Sequence, residues 1–464
     1  MKKVFIIGGG IAGLSAGVFA QKSGFEVTIL ESHSIAGGNC TSWKRKGYLF
    51  EGGMHWLAGT SPQNPLHHLW RAVGAFNDNV TISYNEPFME YKYSGKPIRL
   101  YRDVNSTERD LLALSPEDEK EIKALCDSIR KVQAGHELET IYYELTRDEY
   151  VNRFCHEGIR ELLLSVPGDE QGIPMMILTC GHLANGEGGF PEGGSLTFVE
   201  RIVKNYVSLG GKIRYNTRAD HVVIENRKAV GVVAGGEFFP AEAVIVASDT
   251  MAIDKLFDSP LQAPWLNEMY ATTKPTMCVL VSLGIGADLK HYPEKPIFKL
   301  NTPISFADQT RQYLYANNYA ADPFYSPSGK TALTIQLAGG DTYDFWKKAK
   351  EEGRYSEEKQ KIADQIITAI AEQIPETEGK IEVCDIATPL TYERYCGNWK
   401  GSWMTAMTAE MRLEPYPATV EGLDGVYFAG YRMIPPGGLP PALISGQIAV
   451  QHLCGDAGVP FIEK

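Results

Sequence analysis

The feature that most limits the fold is a glycine-rich turn between an apolar strand and a helical segment at the start of the chain. Residues 3–7 are apolar after Lys3 and too few for a helix, so they predict a buried strand. The turn Gly-Gly-Gly-Ile-Ala-Gly occupies residues 8–13, and residues 12–23 are helix-permissive up to Gly24, which ends the helix. Residues 26–30 then predict a second strand. This order of elements is typical of an α/β fold.

Three glycines in the turn, Gly8, Gly10 and Gly13, form the spacing Gly-x-Gly-x-x-Gly. In this spacing the first glycine allows a tight turn, the second lets the backbone approach a pyrophosphate, and the third lets helix and strand pack closely. Free N–H groups at the helix N-terminus then face the diphosphate. Glu31 lies about twenty residues further on, where a carboxylate accepts hydrogen bonds from ribose hydroxyls. The segment therefore predicts a dinucleotide site, and a glycine-rich turn in another α/β unit is the alternative.

The dinucleotide is predicted to be FAD and not NAD. Glu31 is followed by Gly37 and Gly38, and an acid followed by a Gly-Gly pair resembles the extended fingerprint of FAD enzymes of the glutathione-reductase-like fold. That group usually carries arginine after the pair, where this chain has Asn39. The sequence contains no second Gly-x-Gly-x-x-Gly, which disfavours a separate nicotinamide-binding domain.

The segments with the character of an FAD domain are separated along the chain, so two domains are predicted to be interleaved. A glutathione-reductase-like, FAD-binding Rossmann domain of the α/β class is predicted over residues 1–57, 191–259 and 404–464. Residues 58–190 and 260–403 are predicted to form an α+β substrate domain. A chain of 464 residues is longer than one ordinary core, which agrees with this division.

Periodic segments of the substrate domain predict a hairpin and two helices. Residues 89–101 alternate about a glycine, which predicts a hairpin. Ser115 and Pro116 have the character of an N-cap and a first-turn proline, so a helix is predicted to begin there. Residues 356–374 have the spacing of an amphipathic helix that Pro375 ends.

Four motifs resemble those of phytoene desaturase-like flavoproteins. This group contains carotenoid desaturases, carotenoid isomerases and retinol saturases, within the wider amine-oxidase-like set. The motifs are Pro-Glu-Gly-Gly at residues 191–194, Val-Ala-Ser-Asp at 246–249, Tyr-Cys-Gly-Asn-Trp-Lys-Gly-Ser at 395–402 and Gly-Val-Tyr-Phe-Ala-Gly at 425–430. The resemblance spans nearly the whole chain and implies FAD as the cofactor.

The glycine-rich turn and the resemblance together imply which residues contact FAD. Val222 would offer backbone groups to the adenine. Residues 50–55 resemble a turn beside the flavin in which Met54 replaces a proline, and residues 437–442 resemble the start of a helix whose N-terminus faces the flavin pyrimidine. The predicted cofactor-binding residues are Gly8, Gly10, Ile11, Ala12, Gly13, Glu31, Ser32, Gly37, Gly38, Asn39, Gly53, Met54, Val222, Ser248, Gly430, Arg432, Gly438 and Leu439.

A few reactive side chains have both a functional and an ordinary interpretation. His55 is the candidate catalytic residue, because it would protonate a substrate near the flavin; the alternative is a hydrogen bond to backbone in a tight turn. Arg432 either offsets flavin or phosphate charge or forms a surface salt bridge. Cys40 and Cys396 are expected to be ordinary thiols, since Arg45 stands where Cys40 would need a disulfide partner.

Aromatic residues crowd the segment before the final FAD motif. Trp399, Trp403 and Tyr395 are candidates for a wall that contacts an apolar substrate, and ordinary core packing is the alternative.

Composition excludes several classes of partner. A formal charge of −12 and a pI near 5.4 leave no basic surface for nucleic acid. The eight cysteines form no Cys-x-x-Cys pair, so no metal site is predicted, and free thiols favour a reducing cytoplasm. An apolar substrate suggests peripheral membrane contact as well, although no basic amphipathic helix supports it.

These observations predict an FAD-dependent oxidoreductase that transfers hydride at carbon–carbon bonds of an apolar isoprenoid or polyene-like substrate. Desaturation, saturation and isomerisation all fit, and the sequence does not identify the electron acceptor. The first alternative is an amine or amino-acid oxidase, in which Arg311 or Arg394 would bind a carboxylate. The second is a flavin-binding protein without enzymatic activity.

Overall fold

The strand–turn–helix–strand unit at the start of the chain opens a parallel sheet in the computed structural model, which describes residues 2–165, 172–406, 411–412 and 414–463. The α-helices in these residues are α1 (Ile11–Lys22), α2 (Pro65–Ala72), α3 (Val104–Leu114), α4 (Glu119–Gln133), α5 (Ile141–Glu144), α6 (Arg147–Val151), α7 (Glu157–Ser165), α8 (Gly172–Ala184), α9 (Gly194–Ser208), α10 (Pro264–Thr272), α11 (Tyr343–Glu351), α12 (Tyr355–Gln373), α13 (Pro389–Cys396) and α14 (Leu439–Ala457). The strands are β1 (Lys3–Ile7), β2 (Glu26–Leu30), β3 (Ser42–Arg45), β4 (Tyr48–Glu51), β5 (Ile82–Ser83), β6 (Met89–Tyr93), β7 (Lys96–Leu100), β8 (Phe190–Pro191), β9 (Lys212–Arg214), β10 (Ala219–Glu225), β11 (Lys228–Ala234), β12 (Glu237–Pro240), β13 (Ala243–Val246), β14 (Pro275–Thr276), β15 (Cys278–Ile285), β16 (Pro296–Phe306), β17 (Gln309–Asn318), β18 (Thr331–Ala338), β19 (Ile381–Ala387), β20 (Met404–Thr405) and β21 (Val426–Phe428).

The parallel sheet has the strand order β21-β13-β1-β2-β9. In its centre Ile6 pairs with Ile245 on one side and with Ile29 on the other, and all three side chains are fully buried. Helix α1 covers one face of the sheet, and every residue from Ile11 to Ala20 is buried. A parallel sheet is buried on both faces, which explains why the sequence of β1 is a nearly continuous apolar run.

Two close approaches of backbone to backbone require glycine around α1. A Cβ on Gly13 would lie 1.9 Å from the carbonyl oxygen of Gly8, and a Cβ on Gly446 of α14 would lie 2.4 Å from that of Ala12. Gly8 itself has a φ of +105°, which L side chains rarely adopt. Gly13 therefore has the packing role that the Gly-x-Gly-x-x-Gly spacing predicts.

A second sheet of seven strands has the order β19-β15-β18-β17-β16-β6-β7. The predicted hairpin is present as β6 and β7, joined by Ser94 and Gly95 with φ of 47° and 80°, as a tight two-residue turn needs. The predicted helix over residues 356–374 is α12, which buries Ile362, Ile366 and Ile370 in one apolar cluster with residues of this sheet. Both predictions depended only on local periodicity.

The N-cap predicted at Ser115 is present, with Pro116 in the first turn, but it begins a 3₁₀ turn and not the α-helix itself. A single 3₁₀ turn over Pro116–Asp118 intervenes, and α4 begins at Glu119. Ser115 Oγ donates to Asp118 Oδ2 at 2.7 Å, and the same buried carboxylate accepts from the backbone N–H groups of Cys155 and His156. The contact with this distant segment fixes Asp118, and the α-helix begins only after this residue.

The two sheets divide along the predicted domain pattern. The five strands of the parallel sheet lie in the segments predicted for the FAD domain, and the seven strands of the second sheet lie in those predicted for the substrate domain. The boundaries themselves stay a prediction, and residues 1, 166–171, 407–410, 413 and 464 lie outside the described residues. Among the described helices, none has both the length and the apolar composition of a membrane span.

Candidate active site

A cavity of about 1370 Å³ lies at the carboxyl edge of the parallel sheet. Its wall includes Ile7 and Leu30, which are the last residues of β1 and β2. It also includes Ala247, which directly follows β13, and Gly430, which lies shortly after β21. Ligands of open α/β sheets bind outside the carboxyl ends of the strands. The volume exceeds the roughly 300–1,000 Å³ of an ordinary single-ligand pocket, so it has room for a dinucleotide and a substrate.

Most of the residues predicted to bind the cofactor meet in this cavity. Those that line it are Gly8, Gly10, Ile11, Ala12, Glu31, Ser32, Gly37, Gly38, Asn39, Gly53, Ser248, Gly430, Gly438 and Leu439. Helix α1 begins here with Gly10 as its N-cap, and no side chain caps its first turn. Its first N–H groups are therefore available to an anion such as a diphosphate. The cradle fits a dinucleotide, and the individual contacts with FAD stay predictions.

Four of the predicted cofactor residues lie outside the cavity wall. Gly13 packs against Gly8, and Val222 points into a buried cluster from the middle of β10, whereas Arg218 and Asp220 at the start of that strand line the cavity. The other two are Met54 and Arg432. Sequence reasoning missed Arg218 and Asp220, because nothing local indicates which end of β10 meets the cavity.

Glu31 holds the glycine-rich turn at the wall of the cavity. Its Oε2 accepts a hydrogen bond from Gly9 N at 2.7 Å, and its Oε1 accepts one from His33 N, also at 2.7 Å. Oε2 keeps a second lone pair for a ribose hydroxyl, whereas Oε1 also accepts a hydrogen bond from Ser32 Oγ at 3.3 Å. The residue is 7% exposed, so these hydrogen bonds form with little competition from water.

The Glu31→Ala variant is expected to bind FAD about 10- to 150-fold more weakly, because charge-assisted hydrogen bonds are worth about 1.5–3 kcal/mol. Titration of apoprotein with FAD, followed by flavin fluorescence, measures this. A control separates loss of the ribose contact from a disturbance of the turn. ADP and 2′,3′-dideoxy-ADP should compete with FAD equally well in the variant, whereas ADP should compete better than the dideoxy compound in the wild type. An unchanged dissociation constant would place Glu31 away from the ribose.

A buried carboxylate fixes the turn of residues 53–55 that was predicted beside the flavin. Glu51 accepts hydrogen bonds from Gly53 N and Met54 N at 3.0 Å and from Ser195 N, in the first turn of α9, at 2.9 Å. Burial raises the pKa of Glu51, and these hydrogen bonds oppose the rise. The N–H of Met54 is thus a donor that proline could not supply.

His55 at the end of this turn lines the cavity. Its ring lies edge-on to Trp403 with 5.5 Å between the ring centroids, and neither ring nitrogen has a hydrogen-bond partner among the described residues. Burial and, to a smaller extent, the charge of Lys295 lower the pKa of His55 to about 3. The imidazole is therefore neutral at pH 7, and the predicted hydrogen bond from its ring to backbone is not observed.

Arg432 lies in the interior and not in a surface salt bridge. Its Nε is 2.9 Å from Asp249 Oδ1, and both side chains are 1% exposed. Thr405 and Ser402 accept further hydrogen bonds from the guanidinium. Burial by itself would raise the pKa of Asp249, but Arg432 and the donors around the carboxylate lower it below its usual value. Arg432 thus pairs with Asp249, which lines the cavity, and does not reach the cavity itself.

The predicted aromatic wall is only partly present. Trp403 and Tyr395 line the cavity, whereas Trp399 does not and instead donates its backbone N–H to Asp249 Oδ2 at 2.9 Å. The structure adds aromatic residues that the sequence analysis missed, since they come from separate strands and loops. These are Trp43, Trp56, Phe88 and Tyr315.

Metal and thiol chemistry have no visible site. No group of three or more His, Cys, Asp or Glu side chains in the described part of the chain is placed to hold a metal ion. Cys40 and Cys396 line the cavity, but burial raises the pKa of both thiols, that of Cys396 to about 12. Neither is a ready nucleophile.

Comparison with known proteins places the chain in one family. The sequence profile described as "flavin containing amine oxidoreductase" matches residues 11–454. An all-trans-retinol 13,14-reductase of Danio rerio is 23% identical over 85% of this chain and 76% of its own length. A chloroplastic prolycopene isomerase of Daucus carota is 22% identical over 98% and 80%. An oxidoreductase structure from Methanosarcina mazei shares the fold at a TM-score of 0.66, with 19% identity over 97% of this chain and 100% of that one.

Proposed function

The chain belongs to the flavin-containing amine oxidoreductase family and is an FAD-dependent oxidoreductase, and we propose that it transfers hydride at a carbon–carbon bond of an isoprenoid or polyene-like substrate. The reaction is a desaturation, a saturation or a double-bond isomerisation. FAD supplies the hydride acceptor and donor. The protein supplies the binding surface, the orientation of the substrate and the exclusion of water.

The observation that carries this proposal is the apolar wall of the cavity beyond the dinucleotide end. The predicted substrate-domain segments contribute most of it, residues 56 and 57 of the first FAD-domain segment add to it, and its side chains are chiefly aromatic and aliphatic. They are Trp56, Leu57, Leu66, Phe88, Met89, Leu100, Met175, Met176, Leu178, Tyr315 and Ala338. Such a surface binds by burying apolar area at roughly 25 cal/mol per Å² and needs few polar anchors.

The acidic side chains on the wall are already engaged, which disfavours an ammonium substrate. Asp249 pairs with Arg432, and Asp385 accepts from Trp43 Nε1 and Arg45 Nε at 2.9 and 3.0 Å. The remaining acidic residues of the wall, which accept hydrogen bonds from backbone N–H groups or a tyrosine hydroxyl, are Glu31, Asp220 and Glu393. A substrate cation would therefore meet two carboxylates that are already paired with an arginine and three that are partly engaged by neutral donors.

The amino-acid oxidase alternative also lacks its predicted anchor. Neither Arg311 nor Arg394 lines the cavity. Arg311 donates to the carbonyl oxygen of Ala338 at 2.9 Å, and the guanidinium of Arg394 lies 5.0 Å from the ring centroid of Tyr395. The names of the two relatives, a retinol reductase and a prolycopene isomerase, support a polyene instead.

The side chains around the turn of residues 53–55 orient the substrate and do not transfer protons to it. Glu51 fixes the turn that carries His55, and the neutral imidazole can donate from one nitrogen and accept at the other. The neutral His55 thus offers no charged acid, which suits hydride chemistry on a carbon–carbon bond. We also propose a cytoplasmic location with peripheral contact with a membrane.

Anaerobic, photoreduced enzyme is expected to be reoxidised by a conjugated polyene, while oxidised enzyme should ignore common amines and amino acids. Stopped-flow absorbance at the flavin band measures both reactions. Photoreduced enzyme mixed with buffer alone is the control for residual oxygen. Rapid bleaching of the oxidised flavin by an amine, with polyenes inert, would instead support the amine oxidase function.

A further inference from the structure

Lys295 is a buried amine that neither the dinucleotide site nor the proposed chemistry uses. It immediately precedes β16, is 8% exposed, and donates a hydrogen bond from Nζ to the carbonyl oxygen of His55 at 2.8 Å. The same nitrogen lies 5.2 Å from the ring centroid of Phe88 and 5.9 Å from that of Tyr315. Because His55, Phe88 and Tyr315 all line the cavity, the amine lies directly behind its wall.

Among the described residues, no carboxylate lies within ion-pair distance of Lys295 Nζ. Its closest described contacts are one carbonyl oxygen and two aromatic faces. A cation without a counter-ion is costly to bury, and aromatic faces offset only part of that cost. Burial, and then the charge of Arg102, lower the pKa of Lys295 to about 7, while Glu294 opposes the shift.

We infer that Lys295 stabilises negative charge that a ligand brings to the cavity beside the turn of residues 53–55. Two ligands can bring that charge: FAD, which becomes more negative when it is reduced, or the carboxylate end of an otherwise apolar substrate. The inference rests on FAD binding but not on carbon–carbon chemistry. It can therefore fail while the proposed function stands, and the reverse also holds.

The first test is the reduction potential of bound FAD in the absence of substrate, measured at pH 6 against a reference dye. Lys295→Met is expected to lower the reduced-to-oxidised ratio about tenfold at a fixed potential, which is about 30 mV for a two-electron couple. Lys295→Arg keeps a charge at the same place and should retain the wild-type potential. Stoichiometric FAD and an unchanged far-UV circular dichroism spectrum show that each variant is folded.

The second test is the pH dependence of that potential. The ammonium of Lys295 is present below about pH 7 and lost above it in the oxidised enzyme. Reduction would then draw a proton back onto Lys295, so the wild-type potential should fall more steeply above pH 7 than below it. Arg at this position stays protonated, and the extra steepness should disappear. Glu294→Gln should keep the extra steepness, because Glu294 only modulates the pKa of Lys295. Arg102 and the neutral His55 do not titrate around pH 7.

The third test addresses the substrate as the source of charge. A polyene carboxylate and the alcohol of the same carbon skeleton are titrated into oxidised enzyme, with the flavin absorbance as the signal. If the substrate brings the charge, the wild type binds the carboxylate more tightly and Lys295→Met loses that preference. The inference is overturned if Lys295→Met has the wild-type potential and the wild-type ligand preference. Should that variant not fold, the inference is overturned if wild type and Lys295→Arg have equal pH slopes and the wild type binds the carboxylate no more tightly than the alcohol.

Discussion

The Gly10→Val variant is expected to purify as a folded protein that has lost FAD completely. A Cβ on Gly10 would meet no protein atom closer than 4.0 Å, and the residue has φ −70° and ψ 179°, which valine adopts readily. The protein alone thus tolerates a side chain at this position. The added methyl groups would occupy the part of the cavity where the pyrophosphate must approach the backbone. Absorbance at the flavin band after purification measures the loss.

Gly13 provides the matched control for this prediction. A Cβ there would lie 1.9 Å from Gly8 O, so Gly13→Val should disturb the packing of α1 on β1 whether or not FAD is present. The thermal midpoint of Gly10→Val should equal that of wild-type apoprotein, whereas that of Gly13→Val should fall well below it. If Gly10→Val purifies yellow at wild-type occupancy, the assignment of the glycine-rich turn to the pyrophosphate is wrong.

The Asp249→Asn variant is expected to lose about 3–5 kcal/mol of unfolding free energy, the cost of leaving one member of a buried ion pair without its partner. Arg432 cannot give up its proton, so its charge would stay in the interior with only neutral acceptors around it. The carboxylate also holds the N–H groups of Trp399 and Met251, of which the amide can keep one at best. Urea denaturation of the apoprotein, followed by tryptophan fluorescence, measures the loss.

Arg432→Met is expected to cost less than Asp249→Asn, because the remaining carboxylate can take up a proton while an arginine cannot lose one. Asp249→Asn combined with Arg432→Met should recover part of the stability, since an uncharged pair leaves no isolated charge. Additive losses in the double variant would contradict an energetic coupling between the two residues.

The sequence alone determined the dinucleotide end of this protein. The turn of residues 8–13, its flanking strands and Glu31 are contiguous, and their structure follows from hydrogen bonding and packing within about thirty residues. The hairpin of β6 and β7 and the helix α12 were predictable for the same reason, because their periodicity and turn residues are local. The resemblance to polyene-modifying flavoproteins added the cofactor, and the family match confirms FAD.

Only the tertiary structure decided which side chains meet in the cavity. Lys295 contacts His55 across 240 residues of sequence, and its neighbours Phe88 and Tyr315 belong to a loop and a strand that meet through the second sheet. The placement of Arg432 in the interior depends likewise on Asp249, which is 183 residues away. Local patterns record the preferences of the backbone over a few residues. The wall of a cavity depends on the register of distant strands and on the direction of each side chain, which no local pattern contains.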